Sequence, residues 1–202
     1  MQDSATVRDK LLQGAVDCLQ ERGYGNTSSR DIAKAAGANL ASINYHFGSK
    51  EALLNDALGL CFATWNQRVQ QAFDQSTAAS PYEQIRAVLA ATVDSFEQIR
   101  PAVQACIESY APALRSQDLR ERLASGYAEV RQHSVDLAKA ALAGTDIEPP
   151  ESLPTIVTVL MAIIDGLMIQ WISDPDAVPR SGEILEAIAA IGTVVPANDK
   201  AS

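Results

Sequence analysis

A chain of 202 residues that is 47% hydrophobic and 20% charged can bury a real core, as one large domain or two small ones. Its formal net charge of −9 argues against a uniformly basic nucleic-acid binder, and its three cysteines, Cys18, Cys61 and Cys106, lack the CxxC spacing of zinc or disulfide frameworks. The opening MQDSATVRDK has no apolar signal core, so a reducing cytoplasm is the expected compartment.

The charge is unevenly placed. Residues 1–50 hold six basic residues (Arg8, Lys10, Arg22, Arg30, Lys34, Lys50) against five acids, a net of +1, so the remainder carries −10. An acidic body with a neutral-to-basic head leaves room for a nucleic-acid surface at the head alone.

In chain order, Val7, Leu11, Ala15 and Cys18, with Leu12, Val16 and Leu19, recur at helical spacing and predict a first helix over about 6–22, stopped by Gly23 and Gly25. Thr27 or Ser28 caps a short second helix over about 28–36, with Asp31 in the first turn, where the helix dipole favours an acid. Gly37 ends it, and Asn39 is an N-cap for a third short helix over about 40–46, with Ile43 and Phe47 pointing inward. Ser49 opens a fourth helix whose apolar stripe, from Leu53 to Val69, runs to about residue 74. After the linker QSTAASP, a fifth helix follows Pro81, a sixth begins near Pro101 and ends near Pro112, and a seventh fills about 117–142. A second linker, GTDIEPPESLP, leads to an eighth helix over about 153–173 and a ninth over about 180–194. No segment reads as a strand and no internal repeat is visible, so the expected class is all-α with about nine helices. The apolar run Ile156–Trp171 is shorter than the ~20 residues of a membrane span and is broken by Asp165, which points to a buried helix and no membrane partner.

The second and third helices, joined by a tight glycine-bearing turn, have the pattern of a helix-turn-helix, whose second helix enters a DNA major groove. Ala41 and Ser42 keep the tip of that helix slim. Tyr45 and His46, at its end, carry groups that donate to phosphate oxygens, and Lys50 lies at the start of the next helix. The stretch TSSRDIAKAAGANLASINYHFGSKEALL, Thr27 to Leu54, resembles the DNA-binding head of the TetR family of bacterial regulators. The resemblance covers about the first quarter of the chain. It implies a head at 1–50, a connecting helix at 49–74, a ligand-binding and dimerisation body at 51–195, and a disordered tail at 196–202. It implies DNA contacts around the start of the second helix: phosphate contacts from Thr27 and Ser29, a base or phosphate contact from Arg30, and Ser28 among the DNA-binding residues. Asn39, Ala41, Ser42 and Asn44 become groove-facing residues, and Tyr45, His46 and Lys50 backbone clamps. Many family members carry an aromatic where this chain has Asn44, and an amide there is suited to bidentate pairing with adenine.

For the body, the likeness is architectural. The eighth helix carries two apolar stripes: Ile156, Leu160, Ile163, Leu167 and Trp171 on one, Val157, Met161, Ile164 and Met168 on the other. A helix apolar on both sides is buried on both sides, one against its own chain and the other most simply against a second copy about a two-fold axis. Ile184, Leu185, Ile188 and Ile191 of the ninth helix join that interface. Phe62, Trp65, Phe96, Tyr110, Met161 and Met168 are pocket-lining candidates against plain core, as is Trp171. Asp165 inside an apolar helix must be paired or face a polar cavity or interface: the readings are a hold on a ligand cation, a pairing with an Arg across the dimer, or a solvated edge, and a structural pairing is the favoured expectation. His46 and His133 lie far apart in sequence and no cluster has metal spacing, so no metal, cofactor or enzymatic site is expected. The cysteines read as reduced core thiols. The function expected is a homodimeric, ligand-responsive transcriptional regulator, of the repressor type that the resemblance implies, that binds a palindromic operator in bacterial, nucleoid-associated cytoplasm and is released by an unidentified small apolar or amphipathic effector. The alternative is a DNA-binding protein without such a ligand, acting through a protein partner or architecturally.

Overall fold

The computed structural model describes residues 6–76, 80–143 and 145–194. The expected disordered tail at 196–202 lies outside the described residues. Within them the chain is helical: α1 Val7–Arg22, α2 Ser29–Ala35, α3 Ala41–Phe47, α4 Lys50–Gln75, α5 Pro81–Asp94, α6 Phe96–Ala113, α7 Gln117–Leu142, α8 Leu153–Ser173 and α9 Ser181–Val194, with one 3₁₀ turn at Pro175–Ala177.

The first helices start where polar caps absorb their free N–H groups. Thr6 and Asp9 form a reciprocal capping box at α1, and Ser28 and Asp31 form another at α2. Hydrogen bonds from these caps hold the Asp9 and Asp31 carboxyls below the usual carboxylate range. Ser49 accepts from the Ala52 N–H at 3.0 Å to open α4. At α3 the cap is displaced by one residue from expectation. The Asn39 side-chain oxygen accepts from the Ala41 N–H at 2.9 Å, and the helix proper begins at Ala41. Gly23 ends α1 at φ 77°, in the left-handed region, and the Glu108 carboxylate of α6 occupies the space a Cβ would need. The positive φ disfavours a side chain there, and one would also displace the Glu108 carboxylate.

The α5–α6 boundary falls elsewhere than the proline suggested. The helices meet at Ser95, whose N–H still donates to Ala91 and Thr92 carbonyls, and Pro101 sits exposed inside α6. Proline there removes one backbone donor, a cost borne because the turn before it buries Phe96 and Ile99.

One core runs through head and body. Leu11, Ala15 and Leu19 of α1 pack with Ile32, Ile43, Leu53, Leu54 and Leu58, and the same cluster includes Ala105, Ala113, Leu119 and Leu123 from α6 and α7. α4 is the shared element, touching α1 and α3 at its start and α5 and α7 further on. A second cluster joins Phe96, Ile99, Val103 and Trp171, and a third joins Val135, Leu153 and Val157. α8 has 21 residues, longer than its apolar run alone, and by length and composition it is long and apolar enough to cross a membrane. Here it packs on α6 and α7.

Candidate DNA-binding surface and body cavity

Burial of Ile43 and packing of Phe47 fix α3 on the head, with the Arg8 guanidinium 4.8 Å from the Phe47 ring centroid. This leaves Asn39, Leu40, Ala41, Asn44 and Tyr45 outward; Tyr45 is 86% exposed. The Tyr45 and His46 rings meet edge to face at 4.9 Å. Lys50 reaches back so that its ammonium donates to the Thr27 carbonyl at 3.3 Å and pairs with Glu51 at 3.6 Å. The half-buried Lys50 therefore sits against the loop that opens α2, where Ser29 is half-buried and Arg30 is exposed without an ion pair among the described residues. Ser42 and His46 are half-buried on the same short helix.

Two residues assigned to this surface are otherwise engaged. Thr27 is 2% exposed, and its hydroxyl donates to the Gly23 carbonyl at 2.7 Å, with the Cys18 carbonyl at 3.2 Å. It knots the α1–α2 turn from inside, so its side chain does not reach a phosphate. The Ser28 hydroxyl, though exposed, is taken up by Asp31 in the capping box. Leu40 was not singled out from sequence. It is 45% exposed at the tip of the turn, and an aliphatic residue beside an N-cap gave no signal for that.

The head is tied to the body through Asn55 of α4. Tyr24, just after α1, donates its hydroxyl to the buried Asn55 side-chain oxygen at 2.9 Å, while Arg122 of α7 donates to the Asn55 backbone carbonyl at 3.2 Å.

A cavity of about 520 Å³ is bounded by residues of α4 to α8 together with Gln13, Val16 and Gln20 of α1. Phe62, Trp65, Tyr110, Met161 and Met168 line it. Phe96 does not: it is 1% exposed, with its ring centroid 5.7 Å from that of Trp171. Tyr127, missed from sequence, also lines the cavity, on the inward stripe Leu123–Tyr127–Val130 of α7. Gly126 lets the Phe62 ring lie against α7, since a Cβ there would meet it at 2.6 Å. Asp165 faces this cavity too, and among the described residues of its own chain no basic side chain forms an ion pair with it. Burial pushes its carboxyl up, opposed by a hydrogen bond from Tyr127. Burial also raises the thiols of Cys18, Cys61 and Cys106, the last to about 11, leaving them protonated and unreactive at neutral pH. No group of metal-ligating residues is present among the described residues.

The apolar faces of α8 and α9 divide differently from the sequence stripes. Trp171 is buried within the chain beneath the Arg100 guanidinium at 4.3 Å, Leu167 packs on the same cluster, and Ile156 and Leu160 line the cavity. Ile184 is buried, and α9 packs on α5. Ile163, Leu185 and Ile188 are half-buried and Ile191 is 61% exposed. The outward stripe of α8 is instead Val159, Ala162, Gly166 and Ile169, with Val159 and Ile169 about half exposed.

A slim, outward second helix on a three-helix head, joined through one long helix to a helical body with a cavity, defines a two-part helix-turn-helix regulator. The amino-terminal model of the bacterial regulatory proteins of the tetR family matches residues 11–57, and the C-terminal model of BetI-type transcriptional repressors matches residues 81–191. The chain belongs to the TetR family and is a transcriptional regulator, not an enzyme. It is 38% identical over 94 residues to the HTH-type transcriptional repressor KstR2 of Mycolicibacterium smegmatis, a match covering 46% of this chain and 44% of that one. The matched stretch thus spans less than half of that curated relative. Two solved structures share the fold. A putative transcriptional regulator from Saccharomonospora viridis in complex with choline has a TM-score of 0.67 at 20% identity, over 92% of this chain and 95% of that one. The regulator FadR from Bacillus subtilis in complex with stearoyl-CoA has a TM-score of 0.68 at 16% identity, over 88% and 95%.

Proposed function

We propose that the chain is a cytoplasmic, homodimeric repressor that reads a palindromic operator with α3 and releases it when a small molecule occupies the body cavity. The observation that carries the reading is the outward face of α3. Asn44 and Tyr45 project from a helix whose opposite side is locked by Ile43, and Lys50 and Arg30 flank it. Asn44 is the base reader, suited to adenine, while Tyr45, His46, Arg30 and Lys50 hold phosphates.

A dimer follows from the outward stripe of α8. Val159, Ala162, Gly166 and Ile169 form an apolar strip with small residues at its centre, suited to close packing against a second copy about a two-fold axis. Two heads then address half-sites about one DNA turn apart, roughly 34–36 Å.

The cavity supports the ligand-responsive reading over a purely architectural DNA binder, and the choline and stearoyl-CoA complexes of the two structural neighbours are consistent with it. α4 provides the link. Its first turn belongs to the head, and Phe62 and Trp65 on the same helix line the cavity. A ligand that binds better to a conformer with α4 displaced shifts the population toward heads whose spacing no longer fits DNA. By linkage, operator DNA weakens ligand binding by the same factor.

Selection of bound duplexes from random DNA at moderate salt tests this. An enriched palindrome with fixed half-site spacing is expected. Enrichment of single half-sites, or none from folded protein, overturns the dimeric reading or the DNA reading respectively.

A further inference from the structure

α3 is a short helix with a small hold on the rest of the head. It buries one residue, Ile43, and packs on α1 and α4. Its far end depends on Phe47, which is half-buried against the head's apolar cluster just before the turn at Gly48. The outward residues Asn44 and Tyr45 lie within one turn of that ring. A hydrogen bond to a base edge tolerates a displacement of roughly half an ångström, so a small tilt of α3 about Phe47 is enough to misplace Asn44.

One side chain joins all three helices at this point. Arg8, the second residue of α1, places its guanidinium 4.8 Å from the Phe47 ring centroid, and its Nη2 donates to the Asp56 carboxylate of α4 at 3.3 Å. Local helix preference does not explain an arginine here, because a cation in the first turn opposes the helix dipole. Stability does not explain it either. Arg8 is 48% and Asp56 45% exposed, and ion pairs so open to water add little to stability. The effect of the arrangement is geometric. Asp56 tethers the guanidinium, and the tethered cation lies over the ring that ends the recognition helix.

We propose that Arg8 is a positioning residue for DNA recognition: anchored by Asp56, it holds Phe47 and so sets the angle at which α3 presents Asn44 and Tyr45. This rests on the reading of α3 as the helix that meets DNA. Arg8 acts through Phe47 and not by touching a base or a phosphate. The two roles open to a basic residue here differ in sign at Asp56. Removing a negative charge from the head by itself favours binding to a polyanion, whereas removing the tether of Arg8 weakens it.

Anisotropy titrations of a duplex selected by the wild-type protein, at several salt concentrations, separate these roles in the full chain and in Arg8→Met, Asp56→Asn and the double variant. Asp56→Asn is expected to bind about threefold or more weaker than wild type, against the sign of its charge change. Arg8→Met is expected to bind at least as much weaker, with the slope of log affinity against log salt unchanged. The double variant is expected to bind no weaker than Arg8→Met, since both changes release the same ring. Melts of all three variants are expected to stay within about 4 °C of wild type. Equal or tighter binding by Asp56→Asn overturns the proposal. So does a salt slope reduced by about 1 in Arg8→Met, which places the guanidinium on a phosphate. Affinity lost only together with a Tm drop of about 10 °C or more overturns it in favour of a structural role. In each of these cases wild type still binds its duplex and the reading of α3 stands. If folded wild type selects no duplex, both fall.

Discussion

Replacing Thr27 with valine removes one hydroxyl from inside the head and nothing from its surface, since the residue is 2% exposed. That hydroxyl is a hydrogen-bond partner of the buried Gly23 carbonyl at 2.7 Å, and the Cys18 carbonyl lies within reach at 3.2 Å. A net hydrogen bond contributes about 0.5–1.5 kcal/mol, and a buried group left without its partner costs about 1–3 kcal/mol. Valine's additional methyl group returns about 0.8 kcal/mol if it packs. The balance is a destabilisation of about 1–2 kcal/mol. For a chain of this size each kcal/mol lowers Tm by about 2–4 °C, so the expected fall is roughly 2–8 °C. Circular-dichroism melts measure it. Fluorescence anisotropy with a selected operator, well below the melting range of both proteins, measures DNA affinity in the same samples. The expected result is a lower Tm with operator affinity within about twofold of wild type. An unchanged Tm with affinity reduced about tenfold would place the hydroxyl on a phosphate and refute the burial argument.

Lys50→Ala is expected to weaken operator binding across sequences and to reduce the slope of log affinity against log salt by about 1, read from anisotropy titrations at several salt concentrations. Asn44→Ala is expected to cost about 1–3 kcal/mol and relax selectivity at one base position, visible in a repeated duplex selection. Asp165→Asn without ligand is expected to melt above wild type at alkaline pH. The folded protein's Asp165 pKa is raised, so its ionised form costs stability there; the penalty fades as pH falls through the raised value and is gone below the ordinary carboxylate range. A constant difference in Tm across that range would contradict it. Gly126→Ala forces the Phe62 ring away from α7, and the expected cost is about 1–3 kcal/mol with weaker binding of long-chain probes. Val159→Asp is expected to yield monomers by analytical ultracentrifugation; an unchanged dimer would put the interface elsewhere.

Periodicity, caps and glycines were enough to place most of the helices, because each is decided by residues within one or two turns. Ser28, Ser49 and Gly23 act on backbone groups adjacent in sequence, so their roles are legible without a fold. Pro101 shows the limit of that logic. A local breaker was overridden by burial of Phe96 against Trp171, a residue 75 positions away (171 − 96), and no local pattern reports such a contact.

The same division runs through the functional residues. The motif from Thr27 to Leu54 identified the family, since backbone shape and a short polar–aromatic run carry that information. Only packing decided that Thr27 turns inward while Arg30 stays out. In the body, hydropathy established that α8 is apolar on more than one side. Which side faces the core depends on the rotation of the helix against α6 and α7, an angle set by side chains from several elements at once. Asp165 was conspicuous in sequence as an acid among apolar residues. That it lines the same cavity as Tyr110 and Tyr127 is a fact of three helices converging, which only the tertiary structure could settle.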